Sequence, residues 1–358
     1  MAAANRLGLE VALDFAIQAS PDHPWVRQHP EWFRHRPDGS IKYAENPPKE
    51  YQDIYPINFD TGQQSELIEE LRETVMFWVR RGVKIFRVDN PHTKPVRFWE
   101  WLIGAVQACN PEVIFLAEAF TRPKMMMALA KAGFSQSYTY FTWRNSKYEI
   151  TEYLTELTQS QSAEYFRPNF FANTPDILTD ILQTGGRPAF KLRLVLAATL
   201  SPSYGIYSGY ELCENAAVPG TEEYQDSEKY QIKARDWDQP GNIREFAARL
   251  NRIRHDNPAL QHFLNLQFLP ADSEQILFYA KTAAGGGNLL LIAVNLDPRQ
   301  WHECTVTVPP SLVGTAPGQS YRVVDLLTGS AYTWGERNYV RLDPQVEPAH
   351  IMRVESRA

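Results

Sequence analysis

Three acidic residues close three apolar runs: Asp89 in FRVDN, Glu118 in FLAEA and Asp176 in ANTPD. Two carboxylates facing one another across a pocket can carry out a two-step displacement at a sugar's anomeric carbon. One, kept anionic, attacks; the other protonates the leaving oxygen and later deprotonates the acceptor. Such pairs sit ~5–5.5 Å apart, too close to admit a water between the attacking oxygen and the sugar. Any one of these acids alone reads better as a helix N-cap or a loop residue, where Asp is favoured. Three at the same topological position carry more weight. Arg87 adds to it, because an arginine inside an apolar strand has few jobs except holding a nearby carboxylate ionised.

Chemistry in parallel α/β folds gathers at the carboxyl ends of strands, so the surrounding elements decide whether these acids can meet. Strand-like runs near Leu9, Val83, Val113, Ser137, Pro168 and Ser203 alternate with amphipathic segments over residues 1–257. A long polar, Pro-rich loop is expected up to about Phe59. In QQSELIEELRETVMFWVRRG, Leu67, Leu71, Val75 and Trp78 fall near helical spacing, and Gly82 ends the segment. This alternation predicts an α/β fold with a parallel sheet or barrel. Residues 258–358 change texture. QILFYAKT, NLLLIAVNL, ECTVTVP, YRVVDLL and HIMRVE are short β runs between Gly, Pro and Asp turns, with Gly285–Gly287 as a hairpin loop. They predict a separate small antiparallel domain, a β-sandwich.

Composition narrows the classes. The chain has 358 residues, 44% hydrophobic and 12% aromatic, and a net charge of -6 without a basic run. That excludes nucleic acid as a natural partner. No run approaches the ~18 apolar residues of a membrane helix, so no membrane partner is expected. Cys109, Cys213 and Cys304 lie far apart with no metal spacing, which suits a reducing cytoplasm. The start, MAAANRLGLEVALDF, does not read as a signal peptide.

The set DFAIQASPDHPW, IFRVDNPHTKP, FLAEAFTRP and FFANTPD resembles the four signature regions of the α-amylase superfamily. Within it, the chain is most similar to the GlgE-type α-1,4-glucan:maltose-1-phosphate maltosyltransferases, also through IKYAENPPKEYQDIYPINFD and SEKYQIKARDWD. NTPD replaces the wider superfamily's Asn-His-Asp, and DFAIQ its Asp-x-x-x-Asn-His, which argues against a starch-degrading amylase.

The resemblance implies a hexosyltransferase-type enzyme that moves maltosyl units from α-maltose 1-phosphate to α-1,4-glucan ends, with retention and release of phosphate. It needs no cofactor and no metal. Asp89 matches the nucleophile, Glu118 the general acid/base and Asp176 the carboxylate that stabilises the transition state. Arg87 matches the arginine that keeps the nucleophile ionised. Gln18, Lys49, Tyr51, Asp53, Asn90, Lys229 and Tyr230 match donor-ligand positions. His23 and His92 read equally as subsite or structural residues. Trp25, Trp99, Trp143 and Trp237 could wall acceptor subsites, although core packing is the commoner role.

Family members are longer, and this chain opens at what matches their third barrel strand. The expected fold is a TIM (β/α)8-type barrel lacking its first two strands, followed by a small antiparallel all-β C-terminal domain. Such an arc exposes parallel edges, so poor folding or association is expected. The resemblance also implies a homodimer and a cytoplasmic location. The alternatives are a related hydrolase, a trehalose synthase, or an inactive truncated remnant that binds glucan.

Overall fold

The computed structural model describes residues 1–47, 49–228 and 232–355. Lys229, Tyr230 and the side chain of Lys49, all expected as donor ligands, lie outside what is described. The chain forms two compact units, residues 1–138 with 165–167, and residues 139–164 with 168–358.

In the first unit four parallel strands lie side by side in chain order: β1 (Ala12–Phe15), β2 (Ile85–Asp89), β3 (Ile114–Glu118) and β4 (Gln136–Tyr138). Side chains of a strand alternate between faces, and in β2 that alternation separates two tasks. Phe86 and Val88 are fully buried in the core, each contributing ~1.5–3 kcal/mol of burial. Arg87 and Asp89 share the other face and are only partly buried.

Three helices cover the core face: α1 (Gln64–Val79), α2 (Val96–Cys109) and α3 (Pro123–Lys131). Leu67, Leu71 and Val75 of α1 are buried at four-residue spacing, as the periodicity predicts. Trp78 departs from it: in the last turn it remains 39% exposed and meets Phe77 edge-on. The stretch after β1 is not one loop. It holds two short antiparallel ladders, Gln18–Ala19 with Tyr55–Pro56 and Ala44–Asn46 with Lys49–Tyr51. Trp32, Phe33 and Phe59 are buried there. Three anchors so widely spaced leave no period in the sequence, yet they hold strands whose backbone groups then pair.

The second unit contributes two more parallel strands, β5 (Pro168–Phe171) and β6 (Tyr204–Gly205). All six strands expected between Leu9 and Ser203 are therefore present. Its longer helices are α4 (Lys147–Gln159), α5 (Gly186–Leu200) and α6 (Arg244–Asp256). Ser146 and Glu149 close a capping box at the start of α4. The helix α5 buries every residue from Ala189 to Leu200.

The C-terminal strands of this unit are β7 (Leu266–Phe268), β8 (Ile276–Thr282), β9 (Leu289–Asn295), β10 (His302–Thr307), β11 (Tyr321–Asp325), β12 (Ala331–Trp334), β13 (Arg337–Leu342) and β14 (Ala349–Val354). One antiparallel sheet runs β7-β8-β9-β14-β11-β12, and β10 pairs with β13 in a second. Phe278 and Leu291 of the first sheet share one core with Val306 and Val340 of the second, which is a two-layer sandwich. Gly285 and Gly286, both at positive φ, turn the hairpin between β8 and β9.

Lys281 on β8 is fully buried, and its ammonium donates to the His262 carbonyl at 2.6 Å. Burial, with Arg254 nearby, pushes its pKa down to about 7 from 10.5. The unfolded chain therefore binds more protons than the folded one between those values, and stability rises with pH across that window. Lys281→Met should remove a gain of on the order of 1–3 kcal/mol between pH 6 and pH 9. Denaturant midpoints of both chains at the two pH values check this. Equal pH dependence in wild type and variant would overturn it.

Candidate active site

Register assembles the first-unit site. Parallel pairing sets Asp14 of β1 beside Arg87 of β2, and Asp89 of β2 beside Glu118 of β3. Arg87 is the hub. Its Nη1 donates to Asp14 Oδ1 and Oδ2, each at 3.0 Å, and to Asp89 Oδ1 at 3.1 Å. Its Nη2 pairs with Glu118 Oε1 at 3.0 Å. The two carboxylates expected to share the chemistry are thus held by two nitrogens of one guanidinium. Burial opposes the charge on Arg87, but Glu118 and Asp14 outweigh it and raise its pKa further. Arg87 stays cationic.

Tyr138 ends β4 against this cluster, its ring 5.9 Å from the Arg87 guanidinium carbon. Burial raises the pKa of its hydroxyl, with Arg87 pulling the other way. Its apolar ring covers the ionic cluster, and low-dielectric surroundings strengthen ion pairs within reach.

The chain turns sharply straight after Asp89. Asn90 adopts a left-handed conformation, φ 43°, which asparagine tolerates better than most residues. The turn aims the Asn90 backbone N–H at Glu118 Oε2, 3.3 Å away, while its side-chain amide stands 3.4 Å from Asp89 Oδ2. Residues Pro91–Thr93 then form a 3-10 turn, anchored where Trp99 Nε1 donates to the Pro91 carbonyl at 2.9 Å. The turn brings His92 and Lys94 into the field of the site. Burial lowers the Lys94 pKa, opposed by Asp89 and Glu118. Burial also lowers that of His92, with Lys94 adding to the effect and Asp89 opposing it.

The remaining expected residues lie on other elements. Asp176 follows β5 in the second unit, its backbone N–H donating to Thr174 Oγ1 at 3.2 Å. Gln18 is exposed on the first short ladder; Tyr51 is half-buried on the second, and Asp53 is exposed in the turn beyond it. None of these three has a described hydrogen bond to Asp89 or Glu118. His23 caps a short helix through Nδ1, which accepts from the Trp25 N–H at 3.2 Å. Trp25 meets Trp32 edge-on, and Trp99 is fully buried. Trp143 donates to Glu222, and Trp237 is 41% exposed. Packing is the role of Trp99. Among the described residues no group of three or more His, Cys, Asp or Glu is placed to hold a metal ion. No described helix is long and apolar enough to cross a membrane.

Sequence reasoning assigned no role to Asp14, Tyr138 or Lys94. Asp14 had a usable signal: it is an acid within the apolar run of β1, one residue before that strand ends at Phe15.

Residues 268–354 match the family described as GLGE, C-terminal. Over 356 residues the chain is 58% identical to α-1,4-glucan:maltose-1-phosphate maltosyltransferase 1 of Streptomyces coelicolor, covering 98% of this chain and 52% of that protein. It is 57% identical to the maltosyltransferase of the same description from Rhodospirillum rubrum, covering 99% of this chain and 52% of that one. The chain thus spans about half the length of the curated relatives it matches. Among solved structures it is similar to an α-amylase from Geobacillus thermoleovorans in complex with acarbose. The TM-score is 0.75 at 15% identity, over 99% of this chain and 79% of that one. A maltogenic α-amylase from Thermotoga neapolitana gives a TM-score of 0.72 at 18% identity, over 98% and 79%. The fold is of the α-amylase (β/α)8 type, with six barrel strands in this chain and an antiparallel all-β domain after them.

Proposed function

Over the length it spans, this chain belongs to the α-1,4-glucan:maltose-1-phosphate maltosyltransferase family, and we propose on that premise that it carries the reacting carboxylates of a retaining maltosyltransferase. The donor is α-maltose 1-phosphate, and the acceptor is the non-reducing end of an α-1,4-glucan. The observation that carries this reading is the in-register pair Asp89 and Glu118, bridged by Arg87.

In the first step an Asp89 oxygen bonds to the anomeric carbon as its bond to the phosphate oxygen breaks. Phosphate leaves with the electron pair, and a proton from Glu118 assists it. Phosphate is a good leaving group, so that assistance is modest. In the second step the acceptor's 4-hydroxyl attacks the same carbon from the face phosphate left. Glu118 takes the hydroxyl proton, and Asp89 departs as a carboxylate. Two inversions give retention. Arg87 holds the Asp89 carboxylate in place for the attack through its 3.1 Å contact, and the Asn90 N–H positions Glu118. Neither step calls for a cofactor.

Asp176 is assigned the transition-state carboxylate by its match to the family motif. Gln18, Lys49, Tyr51, Asp53, Asn90, Lys229 and Tyr230 are assigned to the donor on the same ground. A homodimer in the cytoplasm fits the family and the sparse cysteines.

The test is phosphate release from α-maltose 1-phosphate with and without glycogen. Release that depends on glycogen and lengthens its chains supports the reading. Reducing sugar without chain growth, or trehalose formed from maltose, would sink it.

A further inference from the structure

We infer that Tyr224 is a positioning residue for Asp176: through the side-chain amide of Asn173, its hydroxyl fixes the turn that presents that carboxylate. The inference rests on the reading of Asp176 as the acid that stabilises the transition state.

The turn is short and stiff. The Thr174 N–H donates to the Ile177 carbonyl at 3.1 Å, and the Ile177 N–H to the Thr174 carbonyl at 3.3 Å. Pro175, at the second of the four positions, has its φ locked by its ring. Asp176 follows it, half-buried, with its N–H on the Thr174 hydroxyl. A turn closed this tightly moves as one piece, so whatever holds its two legs also sets where the carboxylate sits.

One hairpin, residues 216–225, reaches both legs from beyond β6. It is closed by the Gln225 N–H on the Ala216 carbonyl at 3.0 Å and the Val218 N–H on the Glu223 carbonyl at 2.8 Å. On the far leg the Leu178 N–H donates to the Glu222 carbonyl at 2.6 Å. On the near leg the ladder with β6 ends where the Ala172 N–H donates to the Gly205 carbonyl at 3.0 Å. Asn173 comes next and has no exposed surface. Its Oδ1 accepts the Tyr207 N–H at 2.8 Å, which fixes the amide's orientation, because only the oxygen can face that donor. Its Nδ2 is thereby turned to the Tyr224 hydroxyl, 2.5 Å away.

Packing alone does not call for that hydroxyl. Tyr224 is buried, and its ring meets that of Tyr207 edge-on at 5.3 Å, a contact the ring makes without its oxygen. The oxygen adds an acceptor for a fully buried amide, and such a donor is costly to leave unpaired. That amide belongs to the residue that joins the barrel ladder to the turn of Asp176.

Tyr224→Phe, compared with Tyr279→Phe, tests this on the intact chain. Tyr279 lies in the core of the same unit with its hydroxyl 2.5 Å from Thr199 Oγ1, so each variant loses one buried hydroxyl. Tyr224→Phe should speed hydrogen exchange of the Ile177 and Leu178 amides at least about fivefold, the scale expected when a buried donor loses its partner. Tyr279→Phe should not, and this readout needs no turnover. In phosphate release, Tyr224→Phe should lower kcat about tenfold or more and leave KM for α-maltose 1-phosphate within about twofold, because a misplaced group penalises the transition state above the ground state. Tyr279→Phe should change neither. In an Asp176→Asn background, Tyr224→Phe should lower kcat no further, since the group it positions is gone. Unchanged exchange at Ile177 and Leu178, an unchanged kcat, or an equal fall in both backgrounds would overturn the proposal. A kcat that Asp176→Asn itself leaves intact would overturn the reading of Asp176, and the proposal with it.

Discussion

Asp89→Asn should lower phosphate release from α-maltose 1-phosphate by more than about 10⁴-fold, the scale seen when a covalent nucleophile is removed. The amide keeps the size of the side chain and part of its contact with Arg87, so the melting temperature should stay within a few degrees. Intact-mass measurement makes the assignment specific. Glu118→Gln should slow turnover by about 10²–10⁴-fold, the usual range for a general acid/base. With α-maltosyl fluoride, whose leaving group needs no proton, it should accumulate a maltosyl adduct. Adding Asp89→Asn to that chain should abolish the adduct. An adduct that persists in the double variant would show that another residue is the nucleophile.

Removing the hub should cost both activity and stability. Arg87 is 18% exposed at its side chain, and its partners Asp89 and Glu118 are 21% and 10% exposed. Asp14 is 61% exposed, so that contact contributes little to stability. Breaking the two inner pairs in Arg87→Met leaves two acids on neighbouring strands without the cation that bridges them. A loss of about 3 kcal/mol follows from the usual cost of breaking buried pairs, with at least about a hundredfold loss of turnover. Arg87→Lys should recover part of the stability and less of the activity, because an ammonium cannot serve two carboxylates from separate nitrogens in one plane. A denaturant midpoint for Arg87→Met equal to wild type would contradict the ionic hub.

How much of this was readable in the chain depends on how local each cause is. The strands β2 and β3 announce themselves, because apolar runs that stop on an acid have a meaning within five residues. The partnership of Arg87 with Asp89 is equally local, being set by the two-residue period of a strand. Asp14 lies 73 positions from Arg87, and only pairing register joins them. Lys94 depends on a 3-10 turn that folds the chain back after a left-handed Asn90, and nothing in NPHTK fixes that direction. The strands β12 and β13 were missed for another reason. In AYTW three of the four residues face solvent, and RNYVRL alternates exposed with buried, so neither forms a continuous apolar run.

The pairing of Asp89 with Glu118 across adjacent strands also limits how this scaffold could be redesigned. Neighbouring strands lie ~4.7–4.9 Å apart, so the gap between the two acids belongs to the backbone ladder and not to any loop. An enzyme that inverts the anomeric centre needs ~6.5–9.5 Å between its carboxyl groups. Loop exchange and subsite remodelling can alter which acceptor is served. They cannot switch the stereochemical outcome, which would require moving one acid off the adjacent strand.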